Sequence, residues 1–555
     1  MRHCLLFAAA LVVVPAGAAQ TLPKATIARI DSIFAPFDRT DRPGCALGVS
    51  QQGAVVYTKG YGMSDLQYGL AITPGSIFHV ASISKQFAAF AVALLAEDGK
   101  LSLDDPVRKH LPEFPDYGKP VTIRQLIYHT SGVRDHWELL GMAGWRYGHD
   151  LFTQQDVLDI VFRQRRLNFD PGEEWVYSNG GYTLLAEIVK RISGKSLRQF
   201  SDERIFQPVK MTATHVHDDH QMIVPGRTSA YEAGPDGKWQ ISVPTFDTHG
   251  ATSLFSTVAD LLAWEQNFVT GTVGSRRLLA EAETTSKLNN GKPTNYGFGI
   301  SIETYRGTPA RGHGGADAGY RADVVRFPDH GLAVAALCNF AQAIPSQYTR
   351  AVADILVGDR LAPKPAVAAA GTGTKLTEAE LGLLAGIYRK PGSDQAWSIV
   401  IKEGKPFVEN FGAGLDPVDG RRFTAFGIDF EFLGPAGQPA VALKAMNGEQ
   451  LFDSVARVQP FTPTREQLAR LAGRFYSDEL DIAYTITLAD SGLVITRPKG
   501  EGPAPLRPAY QDAFLTPGGV IRFAMVKGRP DTFYLTGGRV RAVEFNRGDP
   551  RRPKP

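Results

Sequence analysis

An excess of charge of one sign is the first thing this sequence lacks: 60 Lys and Arg stand against 57 Asp and Glu, a net charge of +3. No basic run occurs apart from the short tail Arg551-Arg552-Pro553-Lys554. The footprint of a nucleic-acid binder is therefore missing, and nucleic acid is excluded as a partner. Cysteine is scarce as well. Cys4, Cys45 and Cys338 are the only three in 555 residues, so disulfides cannot be the framework of the fold. Cys45 and Cys338 each lie in a β-like run; an oxidising compartment permits a disulfide between them, but nothing in the sequence brings them together, and two buried free thiols are the expectation. Long apolar runs are absent beyond the first twenty residues, which argues against a membrane span in the mature chain.

What is present begins with a leader. Arg2-His3 precedes the apolar run Leu5 to Val14, followed by Pro15-Ala16-Gly17-Ala18-Ala19. A run of about ten residues cannot cross a bilayer of roughly 30 Å, but it suits a cleaved export signal with an Ala-x-Ala site near Ala18 or Ala19. Residues 1–19 are read as a signal peptide, and the mature protein is expected to be periplasmic or secreted.

The length suits two to four domains. Residues 20–360 alternate strand and helix signals: a hairpin over 45–57, a helix over 84–97 closed by Gly99, another over 182–192 closed by Gly194, and strands over 322–327 and 332–338. Helices between terminal strands predict an α/β domain with a mainly antiparallel sheet. Residues 361–375 are rich in Pro, Ala and Gly without period, which is linker composition. The chain then repeats. Leu381-Gly-Leu-Leu-Ala-Gly386-Ile-Tyr388 is echoed 87 residues later by Leu468-Ala-Arg-Leu-Ala-Gly473-Arg-Phe475. Residues 376–460 and 461–548 are expected as two small antiparallel β-barrel-like domains.

Three constellations carry chemistry. Ser82 and Lys85 stand three apart at a helix start, where side chains at i and i+3 share a face. A desolvated lysine can take the proton that makes a serine hydroxyl nucleophilic, although Ser-x-x-Lys is weak evidence alone and Ser84 competes for the role. Tyr177 and Asn179 offer a phenol and an amide before the next helix; the alternative is a capping Asn beside a packed Tyr. The run Arg311-Gly-His313-Gly-Gly315-Ala316-Asp317 precedes the late strands, where glycines let a substrate backbone approach a sheet edge and His313 could add positive charge or a proton. The alternative is an ordinary glycine turn. A rival pattern, His215-Val-His217-Asp218-Asp219-His220, has the form of a two-zinc hydrolase motif. It follows a helix exit instead of a buried strand, and adventitious zinc on a surface loop is the better account. No cofactor and no metal are expected.

Ser-x-x-Lys, Tyr-x-Asn and His-x-Gly, in this order, resemble the serine β-lactamase and penicillin-binding fold. The likeness is closest to its class C-like peptidase and esterase branch and extends over residues 30–356, including Leu126 to Gly132, Gly250 to Trp264 and Tyr296 to Gly299. The resemblance implies Ser82 as acyl-accepting nucleophile, Lys85 as its base and Tyr177 as second proton handler. It implies Asn179 as ligand of the substrate amide, and His313 and Gly315 as the third motif. The backbone N–H groups of Ser82 and Ala316 would form the oxyanion hole; His129 and Ser131 look structural. His313-Gly-Gly replaces the Lys-Thr-Gly or Lys-Ser-Gly of many β-lactamases, as in D-aminopeptidase-like members, which also carry two β-barrels behind the catalytic domain. The implied activity is a serine peptidase or amidase on short peptides with D-residues, cell-wall peptide among the candidate substrates. An esterase or weak β-lactamase, or an inactive binding protein of the same fold, are the alternatives. The oligomeric state stays open.

Overall fold

The computed structural model describes residues 21–364, 376–425, 427–447, 450–498, 502–526 and 529–548. The expected signal peptide and all but four residues of the expected linker lie outside the described residues.

The first part is built on one antiparallel sheet. In chain order its elements are α1 (Lys24–Phe34), β1 (Cys45–Gln51), β2 (Ala54–Tyr61), α2 (Ser84–Glu97), α3 (His136–Met142), α4 (Asn179–Ser193), α5 (Val258–Thr270), β3 (Ser301–Tyr305), β4 (Thr308–Asp317), β5 (Tyr320–Phe327), β6 (Leu332–Cys338) and α6 (Pro345–Val357). The strand order is β3-β4-β5-β6-β1-β2. Alternate residues of the central strands bury on opposite faces, as a period of two requires. Ala46, Ala333, Ala335 and Leu337 join the core under α2 and α5, while Leu47, Val49, Val334 and Ala336 join the core under α1 and α6. Burial on both faces explains why these strands read as continuous apolar runs. Gly48 lets α5 lie close on β1, because a Cβ there would sit 2.9 Å from Val258 Cβ.

The cysteine expectation is corrected. Cys45 and Cys338 are directly opposed in the β1–β6 register, and they form a disulfide. Both are fully buried. Nothing local in the chain links two residues 293 apart; only strand pairing does.

Two β units follow. Residues 386–457 form a nine-stranded antiparallel sheet whose first strand, Gly386–Arg389, pairs with its last, Gln450–Arg457. Residues 473–547 form a closed barrel of eight strands. Each unit is preceded by a short helix started by a capping box, from Thr377 and Glu380 in one case and Thr464 and Gln467 in the other. The barrel is not a loose appendage. Its apolar interior is continuous with the catalytic helical core, and the Tyr484 hydroxyl donates to the Met142 carbonyl.

Candidate active site

Ser82 does not lie within α2 but in the 3-10 turn Ala81–Ile83 that leads into it. In such a turn residues three apart eclipse, and Lys85 Nζ lies 3.2 Å from Ser82 Oγ. Ala81 holds φ at +47°, a left-handed conformation that costs energy for a residue with a Cβ and aims the next side chain away from its own helix. Ser84, the competing serine, is committed elsewhere: its hydroxyl donates to the Ala81 carbonyl and accepts from the Leu254 N–H.

Lys85 is completely buried. Besides Ser82, Nζ reaches Asn179 Oδ1 at 2.8 Å and the Ala251 carbonyl at 2.6 Å. Neither oxygen can donate. A neutral amine therefore spends its two N–H groups on them and turns its lone pair to the Ser82 hydroxyl. Burial drives the Lys85 pKa well below its usual value; Asp135 opposes the shift and Arg539 adds to it. Nζ also lies over the Tyr177 ring, 4.7 Å from its centroid.

The helix expected to start at residue 182 starts at Asn179, because Ser178 is the cap and accepts from the Gly181 N–H. Asn179 is thereby released from capping and faces Lys85. Its amide cannot flip: Nδ2 donates to Asp135 Oδ2 at 2.7 Å and the backbone N–H to the same oxygen at 2.8 Å. Burial raises the Tyr177 pKa, with its hydrogen bond to Ser82 acting against the shift. His129 accepts from the Ser178 N–H and stacks 4.3 Å from the Tyr177 ring, so it holds the Tyr-x-Asn segment in place. Ser131 Oγ accepts from the Val133 N–H, a local turn contact.

The third motif lies on β4. Strand β3 pairs with β4 only as far as Gly312, which leaves residues 313–317 unpaired on that side. Gly315 is required by a close approach: a Cβ there would sit 2.2 Å from the Val80 carbonyl, so glycine lets the strand press against the turn that carries Ser82. Ala316 is exposed at this edge. Of the two contributions the sequence left open to His313, charge or a proton, its surroundings disfavour the charge. Burial, with Lys85 adding to it, holds its pKa down at about 4, and its ring nitrogens meet the Tyr296 hydroxyl and the Gly314 carbonyl. It is neutral at neutral pH. Next to it, Asp317 accepts from Tyr147 and Thr252, and burial pushes its pKa up to about 6.

Sequence reasoning missed Asp135, the Ala251 carbonyl and Tyr296. Asp135 caps α3 through the Trp137 N–H, and a capping Asp carries no local sign that its second oxygen serves a distant asparagine.

The zinc-like pattern lies apart from this site. His215 and His217 pack on Phe255, and His220 pairs with Asp247. Asp219, His220 and Asp247 offer ligand atoms within 4.8 Å of one another.

The serine turn, the Tyr-x-Asn helix start and the open β4 edge converge on one cleft of about 2860 Å³, which both β units also line through Trp397, Arg507 and Arg539. Residues 30–359 match the family model described as Beta-lactamase. The chain belongs to the beta-lactamase family. Among curated relatives of this family member, a D-aminopeptidase from Brucella anthropi is 30% identical over 302 residues, 54% of this chain and 56% of that protein. A penicillin-binding protein from Bacillus subtilis is 29% identical over 326 residues, 55% of this chain and 69% of that one. The chain thus spans little more than half the length of the D-aminopeptidase. The D-amino acid amidase from Ochrobactrum anthropi superimposes with a TM-score of 0.52 at 22% identity, over 61% of this chain and all of that one. A penicillin-binding protein homologue from Pyrococcus abyssi gives 0.55 at 20% identity, over 85% of this chain and 98% of its own. These two likenesses concern the fold. No helix among the described residues is long and apolar enough to cross a membrane.

Proposed function

We propose that this chain is an exported serine hydrolase that forms an acyl-enzyme on Ser82 and cleaves amide bonds in short peptides containing D-residues. The observation that carries the reading is the placement of Lys85: its buried Nζ is within hydrogen-bond reach of Asn179 Oδ1, the Ala251 carbonyl and Ser82 Oγ, so the neutral amine has two pure acceptors for its N–H groups and a lone pair left for the hydroxyl. Ser82 Oγ attacks the substrate carbonyl carbon as Lys85 takes its proton. The oxyanion is received by the N–H groups of Ser82 and Ala316. The C–N bond breaks as the proton held by Lys85 is passed by way of Tyr177 to the leaving amine. Water then attacks the ester carbonyl and gives a proton by way of Tyr177 to Lys85; the Ser82 ester bond breaks, the acid leaves, and Lys85 returns that proton to Ser82. The open edge of β4 suits an extended peptide pairing beside His313 and Gly315, with Asn179 holding the substrate amide. Preference for amides and D-residues is supported by the D-aminopeptidase and D-amino acid amidase relatives.

A fluorophosphonate probe tests the nucleophile: wild type is labelled at Ser82 and Ser82→Ala is not. An unlabelled wild type would point to a binding protein that has kept the fold. D-alanyl peptides, p-nitrophenyl esters and a cephalosporin test the substrate class. Ester turnover without peptide turnover would overturn the amide reading in favour of an esterase.

A further inference from the structure

The segment Gly537–Ala542 of the closed barrel reaches back into the catalytic cleft, and its main chain is fastened there along its whole length. The Arg539 N–H donates to both carboxylate oxygens of Glu138 at 2.9 and 2.8 Å. Its carbonyl accepts from Asn168 Nδ2 at 2.8 Å. The Arg541 N–H donates to Asn168 Oδ1, and Arg134 donates to the carbonyls of Arg541 and Ala542. From the first β unit, Gln395 Nε2 donates to the carbonyls of Gly537 and Gly538. The segment is held by the catalytic domain and the first β unit at once, so its geometry is set before any substrate arrives.

Against that rigid main chain, one side chain is left unspent. The Arg539 guanidinium stacks over the Tyr177 ring, 5.0 Å from its centroid. It is half-exposed to the cleft, and Asp135, its only ion-pair partner among the described residues, is 3.9 Å away. Asp135 is no substitute for a ligand, because it is buried and already accepts from Asn179 and from the Trp137 N–H. The neighbouring cations are occupied. Arg541 grips Glu174 with both terminal nitrogens, and Arg321 donates to the Ala318 and Tyr320 carbonyls. Of the carboxylates nearby, Glu138 is taken by the segment's backbone, and Asp317 by Tyr147 and Thr252. A planar fork of N–H donors held in place beside the nucleophile matches a carboxylate, and its fixed position removes most of the ordering cost of binding one.

We propose that Arg539 is the substrate-specificity residue of this cleft and that it selects substrates carrying a carboxylate next to the scissile amide. This rests on the acyl-enzyme reading above. It moves the favoured peptides away from those recognised by a free amine and toward those with an acidic group on either side of the bond cleaved.

Two substrate pairs test it. N-acetyl-D-alanyl-D-alanine against its C-terminal carboxamide places the charge on the leaving group. N-succinyl-D-alanine p-nitroanilide against the N-acetyl analogue places it on the acyl side. The ratio of kcat/KM, acid over neutral, is measured for wild type, Arg539→Gln, Arg539→Lys and Arg539→Glu. In at least one pair wild type favours the acid, and Arg539→Gln lowers the ratio by roughly tenfold or more, the loss expected for a charge-assisted pair. Arg539→Lys keeps part of the preference and Arg539→Glu reverses it. A ratio unchanged by Arg539→Gln in both pairs, or no turnover of either acid, with Ser82 still labelled by fluorophosphonate, overturns the role of Arg539 and leaves the acyl-enzyme standing. Loss of labelling in wild type overturns both.

Discussion

One carboxylate oxygen of Asp135 accepts both the backbone N–H and the side-chain Nδ2 of Asn179. With its Nδ2 spent on that carboxylate, the Asn179 amide presents its oxygen to Lys85, which in the proposed mechanism leaves the amine's lone pair for Ser82. The proposed base is thus oriented from two residues away, by a side chain that does not touch Ser82.

Asp135 is accordingly a positioning residue, and Asp135→Asn separates that role from bulk stability. The variant puts an N–H donor on the carboxylate that now receives Asn179 and Trp137, and kcat falls roughly ten- to hundredfold. A pH profile supplies the second readout. The Asp135 charge favours protonated Lys85 and opposes the downward shift of its pKa. Removing it lowers that pKa further, so the acid limb of kcat/KM moves to lower pH. An acid limb that stays in place while the melting temperature drops would reduce Asp135 to a structural cap.

Lys85→Met removes the base while leaving an apolar chain of similar length in the buried slot. Loss of a general base costs on the order of 10²–10⁴ in rate, read as slower acylation of Ser82 by an activated ester. Lys85→Arg does not rescue, since a guanidinium stays protonated. In wild type the rate falls as pH drops through the lowered Lys85 pKa, because the ammonium cannot accept the Ser82 proton.

Arg134 and Glu479 join the catalytic domain to the barrel by a 2.7 Å ion pair, with side chains 1% and 3% exposed. Breaking such a pair from one side strands the other charge, at about 3–5 kcal/mol. Glu479→Ala therefore lowers the melting temperature sharply. Arg134→Met with Glu479→Leu recovers most of the loss, although the carbonyls of Arg541 and Ala542 then lose a donor. Equal damage from the single and double variants would show that the charges are not what holds the two parts together.

The Cys45–Cys338 bridge closes a loop of about 293 residues. Loop-closure entropy assigns such a cross-link up to about 5 kcal/mol. The Cys45→Ala/Cys338→Ala variant is expected to melt lower, with the same acylation rate at 25 °C. Unreduced intact mass shows the mature wild type lighter by two hydrogens than its reduced form. A free-thiol count of two in denaturant would remove the bridge.

The parts of this protein that local chemistry dictates were legible in the chain. Strands β1 and β6 could be read as apolar runs because both their faces are buried. The helix Ser84–Glu97 was read to the residue, and the doubled Leu-x-x-Leu-Ala-Gly pattern announced two β units. Ser82 and Lys85 could be paired because three residues of helical rise bring them to one face, whether the turn is α or 3-10. Tyr177 and Asn179 were singled out through the family resemblance, not by spacing alone, and the helix start was misplaced by three residues, since Ser178 supplies the cap.

What tertiary structure alone decided depends on contacts between residues far apart in the chain, for which spacing carries no information. Strand pairing puts Cys45 opposite Cys338 and makes a bridge of two expected thiols. Burial decides against a charged His313, where its residue type left both charge and a proton open. Asp135 and the Ala251 carbonyl become partners of Asn179 and Lys85 only when α3, α4 and the chain before α5 meet at one point. Arg539 reaches Tyr177 from a separate barrel because seven main-chain groups of its segment are held by side chains of the catalytic domain and of the first β unit. Sequence determined which atoms could react; the fold decided which way each one faces and what charge stands beside it.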